Sequence, residues 1–227
     1  MKLLRNGKTK DLYDLENGNY QLRFKDTTTV GADGQLDHGG NTVGAYINGL
    51  GIASLRLTRY FFEKINDAGI FTHYIDSDLN AGTMTVRPAT QFGGKVGIEV
   101  ICRLKAVGSF FRRYGDYCVE GQDLDYYVEI SLKDDERGDP MITRDALALL
   151  EILSFSEYDD LVSLAKQITA IIRDDLVAKG LVLYDIKFEF GRIDSKVALI
   201  DEFSWGVMRV YKNGKWLQPF ELSKYFA

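Results

Sequence analysis

A chain of 227 residues is long enough to bury a sizeable core and short enough for one compact enzyme fold or two small lobes. Its 28 lysines and arginines against 33 acidic residues leave a net charge of −5, which argues against nucleic-acid binding by bulk electrostatics but leaves room for a small basic pocket. Cys102 and Cys118 form neither a CxxC pair nor a disulfide framework, so they fit a reducing compartment and are expected to pack as small hydrophobes.

Residues 1–7 carry no apolar run of the kind a secretory leader needs, and no stretch approaches the ~20 apolar residues of a membrane span. The expectation is a cytoplasmic protein with neither a membrane nor a nucleic-acid partner. Tyr13 and Leu15, then Tyr20, Leu22 and Phe24, alternate with polar residues around a turn at 16–19, which predicts strands. Over 51–68 the residues Ile52, Leu55, Phe62 and Ile65 recur at near-helical spacing, with Gly69 placed to cap the end. A strand at 83–87 leads to Pro88 and the Gly93-Gly94 turn, the candidate hinge between lobes at 1–88 and 89–227.

The second part opens on a β-rich run at 96–103. A short helix is expected from Ser109, capped by its own hydroxyl, and another after Thr143 through Leu147 and Leu150. The clearest helix follows Ser156, where residues 156–159 make a loose capping box. Leu161, Leu164, Ala165, Ile168, Ile172 and Leu176 form its apolar stripe, which is core, and Gly180 ends it. Strands and helices alternate without regular βαβ units, so the fold class is α+β.

The chemistry concentrates in residues 180–191. With a period of two, Val182, Tyr184, Ile186, Phe188 and Phe190 face one way and Asp185, Lys187 and Glu189 the other. A second strand at 197–203 contains Asp201 and Glu202. A three-residue loop at 194–196 would set Glu189 opposite Asp201, a like-charge pair that a cation such as Mg²⁺ would relieve. A two-residue loop would flip the register and remove that argument. By itself the acid–x–Lys–x–acid pattern more often describes an exposed, ion-paired strand, and the functional reading is the minority one. Neither histidine, His38 or His73, carries a catalytic pattern, and His73 is expected to be packed or solvated.

Several collinear motifs resemble the SAICAR synthetase family of purine-biosynthetic ligases. They are Gly7-Lys8-Thr9-Lys10 through Tyr13; Lys64 through Thr72; Glu99-Val100 to Arg103 with Ala106 to Phe110; Lys133-Asp134-Asp135 with Asp139-Pro140-Met141-Ile142; and Asp185 to Gly191 with Asp201-Glu202-Phe203-Ser204. The resemblance implies a kinase-like N-terminal β lobe and an ATP-grasp-like C-terminal lobe with the active site in the cleft between them. It implies ATP and Mg²⁺, with Lys8, Lys10, Lys133 and Lys187 near phosphate or substrate oxygens and Glu189 and Asp201 on the metal. Arg103, Ser109, Asp139 and Arg209 would bind substrate, and Lys187 and Asp185 would serve catalysis. The implied substrates are a phosphoribosyl carboxylate, carboxyaminoimidazole ribotide, and L-aspartate, joined through an acyl phosphate. A homodimer is left open.

The chain departs from the family pattern at four places. Trp205-Gly206 stands where Pro-Asp is usual, Leu50-Gly51 replaces Lys-Gly after a longer stretch at 35–48, Gly138 precedes Asp139, and the long C-terminal helix is missing. These leave open a diverged paralogue that forms another amide or phosphorylates another acid, or a non-catalytic nucleotide-binding regulator. Joint retention of Lys187, Glu189 and Asp201 argues against the regulator.

Overall fold

The structure is a computed structural model and describes residues 1–30, 42–93 and 97–226. His38, residues 35–41 of the 35–48 stretch, Gly94 and Val96 lie outside the described residues. In chain order the strands and helices are β1 (Lys2–Asn6), β2 (Lys10–Asp14), β3 (Tyr20–Phe24), β4 (Thr27–Val30), β5 (Thr42–Tyr46), α1 (Leu50–Asp67), β6 (Tyr74–Asp78) and β7 (Thr83–Val86). There follow β8 (Thr90–Gln91), β9 (Ile98–Lys105), α2 (Gly108–Tyr114), β10 (Asp123–Leu132), α3 (Arg144–Leu149) and α4 (Phe155–Ala178). The chain continues through β11 (Val182–Ile193), β12 (Lys196–Ile200), β13 (Met208–Lys212), β14 (Lys215–Trp216) and α5 (Pro219–Ser223). The class is α+β, as the pattern predicts. The chain sorts into two compact units: Met1–Thr90 with Gly191–Val207 and Gln218–Ala227, and Gln91–Phe190 with Met208–Leu217.

The first unit is built on an antiparallel sheet ordered β1-β2-β3-β7-β6, with α1 packed on β3 and β6. The periodic residues Leu55, Phe62 and Ile65 are buried on α1 together with Phe61. Gly49, the residue before the helix, has no side chain to cap it, so Asp26 does so from β3–β4, accepting from Gly49 N at 3.0 Å and Gly51 N at 2.8 Å. A Cβ at Gly51 would come within 3.0 Å of the Lys25 backbone, which explains a glycine there. At the other end Gly69 N bonds to Asn66 O and Ile70 N to Ile65 O, the paired closure for which the sequence placed a glycine. Phe61 and Phe62 pack on Phe203, and Thr58 Oγ1 donates to Phe203 O at 2.6 Å, fixing the segment that carries Asp201 and Glu202.

In the second unit the sheet order is β10-β9-β11-β13-β14, antiparallel throughout. α4 covers one face through Leu161, Ala165, Ile168, Ile172 and Leu176. Its cap is Ser154 and not Ser156: Glu157 N donates to Ser154 Oγ while the Glu157 carboxylate accepts from Ser154 N, so the capping box starts two residues earlier than expected. Gly180 closes the helix with φ 70, and Thr143 caps α3 as predicted. Ser109 is not a cap. α2 begins at Gly108 behind Val107, without a side-chain cap, because the Ser109 hydroxyl is held by Arg103.

Strand alternation in β11 fails at its start. A bulge between Leu183 and Asp185 shifts the phase, so that Leu183 is buried and Val182, expected inside, is 45% exposed. The hairpin after β11 also differs from the expectation. Its loop is the two residues Asp194 and Ser195, both with positive φ, and Lys196 already belongs to β12. The opposed Glu189–Asp201 pair that a three-residue loop would create therefore does not arise from this hairpin.

Candidate active site

Pairing across β10, β9 and β11 determines which side chains share the sheet face turned away from α4. Arg103 stands between Tyr127 and Asp185, Ile101 between Glu129 and Lys187, and Glu99 beside Ser131. One face therefore collects Glu99, Arg103, Glu129, Ser131, Asp185, Lys187 and Glu189, while Val100, Cys102, Ile130, Ile186 and Phe188 fill the other. Arg103, Glu129, Asp185, Glu99 and Glu189 are all buried. Buried charge at this density persists only if it is paired and hydrogen-bonded.

At one end the pairing is done by arginines. Arg103 Nε and Nη2 donate to Glu129 Oε1 at 2.8 and 2.6 Å, and Nη1 to Asp185 Oδ2 at 2.7 Å. Nη2 also reaches Ser109 Oγ at 2.8 Å, and Nη1 lies 3.5 Å from Val107 O. Arg209 Nη1 donates to the same Asp185 Oδ2 at 2.7 Å, and its guanidinium lies so close to Gly108 that a Cβ there would meet it at 2.7 Å. The sequence-predicted Arg103, Ser109, Asp185 and Arg209 thus form one network.

At the other end lysines do the pairing. Lys187 Nζ donates to Glu99 Oε1 at 2.7 Å, and Lys133 Nζ makes a very short contact with Glu189 Oε1. Gln91 Nε2 also lies 3.4 Å from Glu189 Oε2. Burial works against the charge on Lys187, but Glu99 and Glu189 more than offset it, and its pKa lies above the usual lysine value. Asp139 feels both Glu99 and Lys187; burial first, then the charges of Glu99 and Asp135, raise its carboxyl pKa. Its Oδ1 accepts from Asp134 N at 2.8 Å, which fixes the bend at 138–139. Ser131 Oγ is buried on this face without a hydrogen-bond partner.

The first unit holds a separate constellation. Lys10 Nζ contacts Asp201 Oδ1 at 3.1 Å and Glu202 Oε2 at 2.8 Å. Asp201 has φ 72, and its carbonyl lies 3.2 Å from His73 Nε2. His73 is packed, and burial lowers its pKa to about 4, so it is a neutral core residue. Lys8 sits in the turn before β2, where its carbonyl accepts from Thr27 Oγ1 at 2.6 Å. Lys25 Nζ pins the same turn through Gly7 O, Asn6 and Asp11.

Glu129 and Ser131 belong to the sheet face and Arg113 reaches it from α2, but none of the three is among the residues singled out from sequence, and Glu99 appears there only as part of a motif. A signal for Glu99 exists in hindsight: Glu99 and Arg103, four apart on a strand, must share a face.

A sheet face whose four buried carboxylates are each held by arginine or lysine, within an α+β fold, is suited to a class of protein that handles charged small molecules. The chain matches the SAICAR synthetase family over residues 3–224 and belongs to it. It is 56% identical over 226 residues to the phosphoribosylaminoimidazole-succinocarboxamide synthase of Clostridium tetani, covering 99% of this chain and 98% of the relative. Among solved structures it resembles the Ehrlichia chaffeensis enzyme of the same name, with TM-score 0.83, 25% identity and 95% and 88% of the two chains covered. A SAICAR synthetase in complex with ADP superposes with TM-score 0.82 at 27% identity, covering 93% and 86%.

Proposed function

We propose that this chain is an ATP-dependent ligase that joins the carboxylate of carboxyaminoimidazole ribotide to the amino group of L-aspartate. The observation that carries this reading is the divided sheet face, with fixed guanidinium groups at one end and charged lysines at the other. The γ-phosphoryl of ATP passes to the substrate carboxylate, ADP departs, the aspartate amine attacks the acyl phosphate, and phosphate leaves as the amide forms. The protein has little covalent work to do; it positions reactants and spreads developing charge. Lys187, held cationic by Glu99 and Glu189, neutralises the transferring phosphoryl group. Arg103, Ser109 and Arg209 bind the ribotide phosphate, Asp185 fixes the two arginines, and Asp139 reads the substrate beside Lys187. Lys8, Lys10 and Lys133 serve the nucleotide phosphates.

Among the described residues no cluster of three or more His, Cys, Asp or Glu is arranged to hold a metal ion. A nucleotide-borne Mg²⁺ needs only one or two carboxylates, and it keeps water and phosphate oxygens for the rest. Glu189 and Asp201, the carboxylates proposed for this role, are hard-oxygen donors of that kind, and each is balanced by a lysine ammonium, Lys133 and Lys10 respectively. When bound, the ion would screen the phosphate charges during transfer. The experiment is ATP-dependent turnover with the ribotide and aspartate, followed by a screen of other acids and amines. Absence of ribotide turnover, with another acid consumed, would establish the diverged-paralogue reading instead.

A further inference from the structure

We infer that Glu129 and Arg113 are positioning residues for the ribotide phosphate groups Arg103 and Ser109; the inference rests on the ligase reading above. The Glu129 carboxylate, 2% exposed, receives Arg103 through Nε and Nη2 at 2.8 and 2.6 Å. It also receives Arg113 Nη2 on both of its oxygens at 2.7 Å. On its other edge Arg103 meets Asp185, so carboxylates on two sides hold the guanidinium plane and prevent rotation. What remains of Nη2 is directed at Ser109 Oγ.

Arg113 lies four residues beyond Ser109 on α2, so the two side chains share a side of the helix. By gripping Glu129, Arg113 ties α2 to β10 and thereby sets where Ser109 stands relative to Arg103. One carboxylate on β10 therefore orients both groups, one directly and one through a helix. Arg113 also changes the charge balance. Arg103 and Arg209 against Glu129 and Asp185 would be neutral, and adding Arg113 makes three guanidinium groups against two carboxylates. The surplus positive charge is what an anion site requires. Arg103 is the enclosed centre of this ladder, whereas the Arg113 and Arg209 side chains at its ends are 30% and 17% exposed.

The test is steady-state kinetics on Arg113→Met, Arg113→Lys, Glu129→Gln and the Arg113→Met/Glu129→Gln double variant, with KM measured separately for ribotide, ATP and aspartate. Arg113→Met and Glu129→Gln should each raise the ribotide KM about tenfold, the scale of one charged hydrogen bond, with a much smaller fall in kcat. KM for ATP and aspartate should change by less than about twofold on the same scale. Arg113→Lys, which keeps the charge but loses the fork, should fall between wild type and Arg113→Met. The double variant should be no worse than Glu129→Gln alone, because Arg113 acts through Glu129. An unchanged ribotide KM, a rise in all three KM values together, or additive effects would overturn the positioning role alone. Failure of the wild-type chain to bind and turn over ribotide would instead remove the ligase reading, and this inference with it.

Discussion

The two ends of the second unit's polar sheet face solve one problem, buried charge, with different side chains. At the arginine end planar forks bridge Glu129 and Asp185, and Arg103 spends its donors on protein acceptors. At the lysine end single ammonium groups meet Glu99 and Glu189. A guanidinium bonded along two edges keeps one orientation, while an ammonium is a point charge that can exchange partners without a change of shape. The first end therefore presents its positive charge in one fixed orientation. The second suits a phosphoryl group whose charge moves during reaction.

The sharpest way to break this comparison is to remove the centre of the rigid end. Arg103→Ala leaves Glu129 and Asp185 facing each other without their shared cation, and breaking a buried pair typically costs about 3–5 kcal/mol. Chemical denaturation should show a loss of that size, and titration should show the ribotide weakened far more than ATP. A small loss of stability would mean that Arg113 and Arg209 by themselves satisfy the two carboxylates.

At the lysine end Lys187→Met should leave the fold intact and lower kcat by about 10²–10³, the usual cost of losing a transition-state charge contact. Turnover within about threefold of wild type would show that Lys187 plays no part in phosphoryl transfer.

Glu99→Gln tests what holds Lys187 charged. With that support gone, the lysine pKa should fall, and the alkaline limb of the pH–kcat profile should move to lower pH. An alkaline limb at the wild-type position would assign the support elsewhere.

Asp139→Asn should have the smallest effect. Burial and its acidic neighbours raise the Asp139 pKa in the fold, so its contribution is complete below the ordinary aspartate value and is lost as pH rises through the folded value. The asparagine variant should therefore match wild type near pH 3 and gain melting temperature relative to it at neutral pH. Equal differences at both pH values would show that the carboxyl group does not titrate in this way.

The periodic positions of α1 and α4, their closing glycines and the charged face of β11 were all legible in the sequence. Each depends on residues a few positions apart, and backbone geometry alone carries such patterns. The family motifs likewise marked Arg103, Ser109, Asp185, Lys187 and Arg209, residues that the fold then gathers on or beside one sheet face. Tertiary structure alone decided what a single residue can shift. The two-residue turn at Asp194-Ser195 removes the predicted Glu189–Asp201 opposition, and the bulge after Leu183 turns Val182 outward. It alone revealed Glu129 and Arg113 as well, since Arg103 finds Glu129 26 residues away and Asp185 82 residues away. Side-chain period is local, but register and ion-pair partners are set by which strands lie side by side, and a one-residue slip reverses every face.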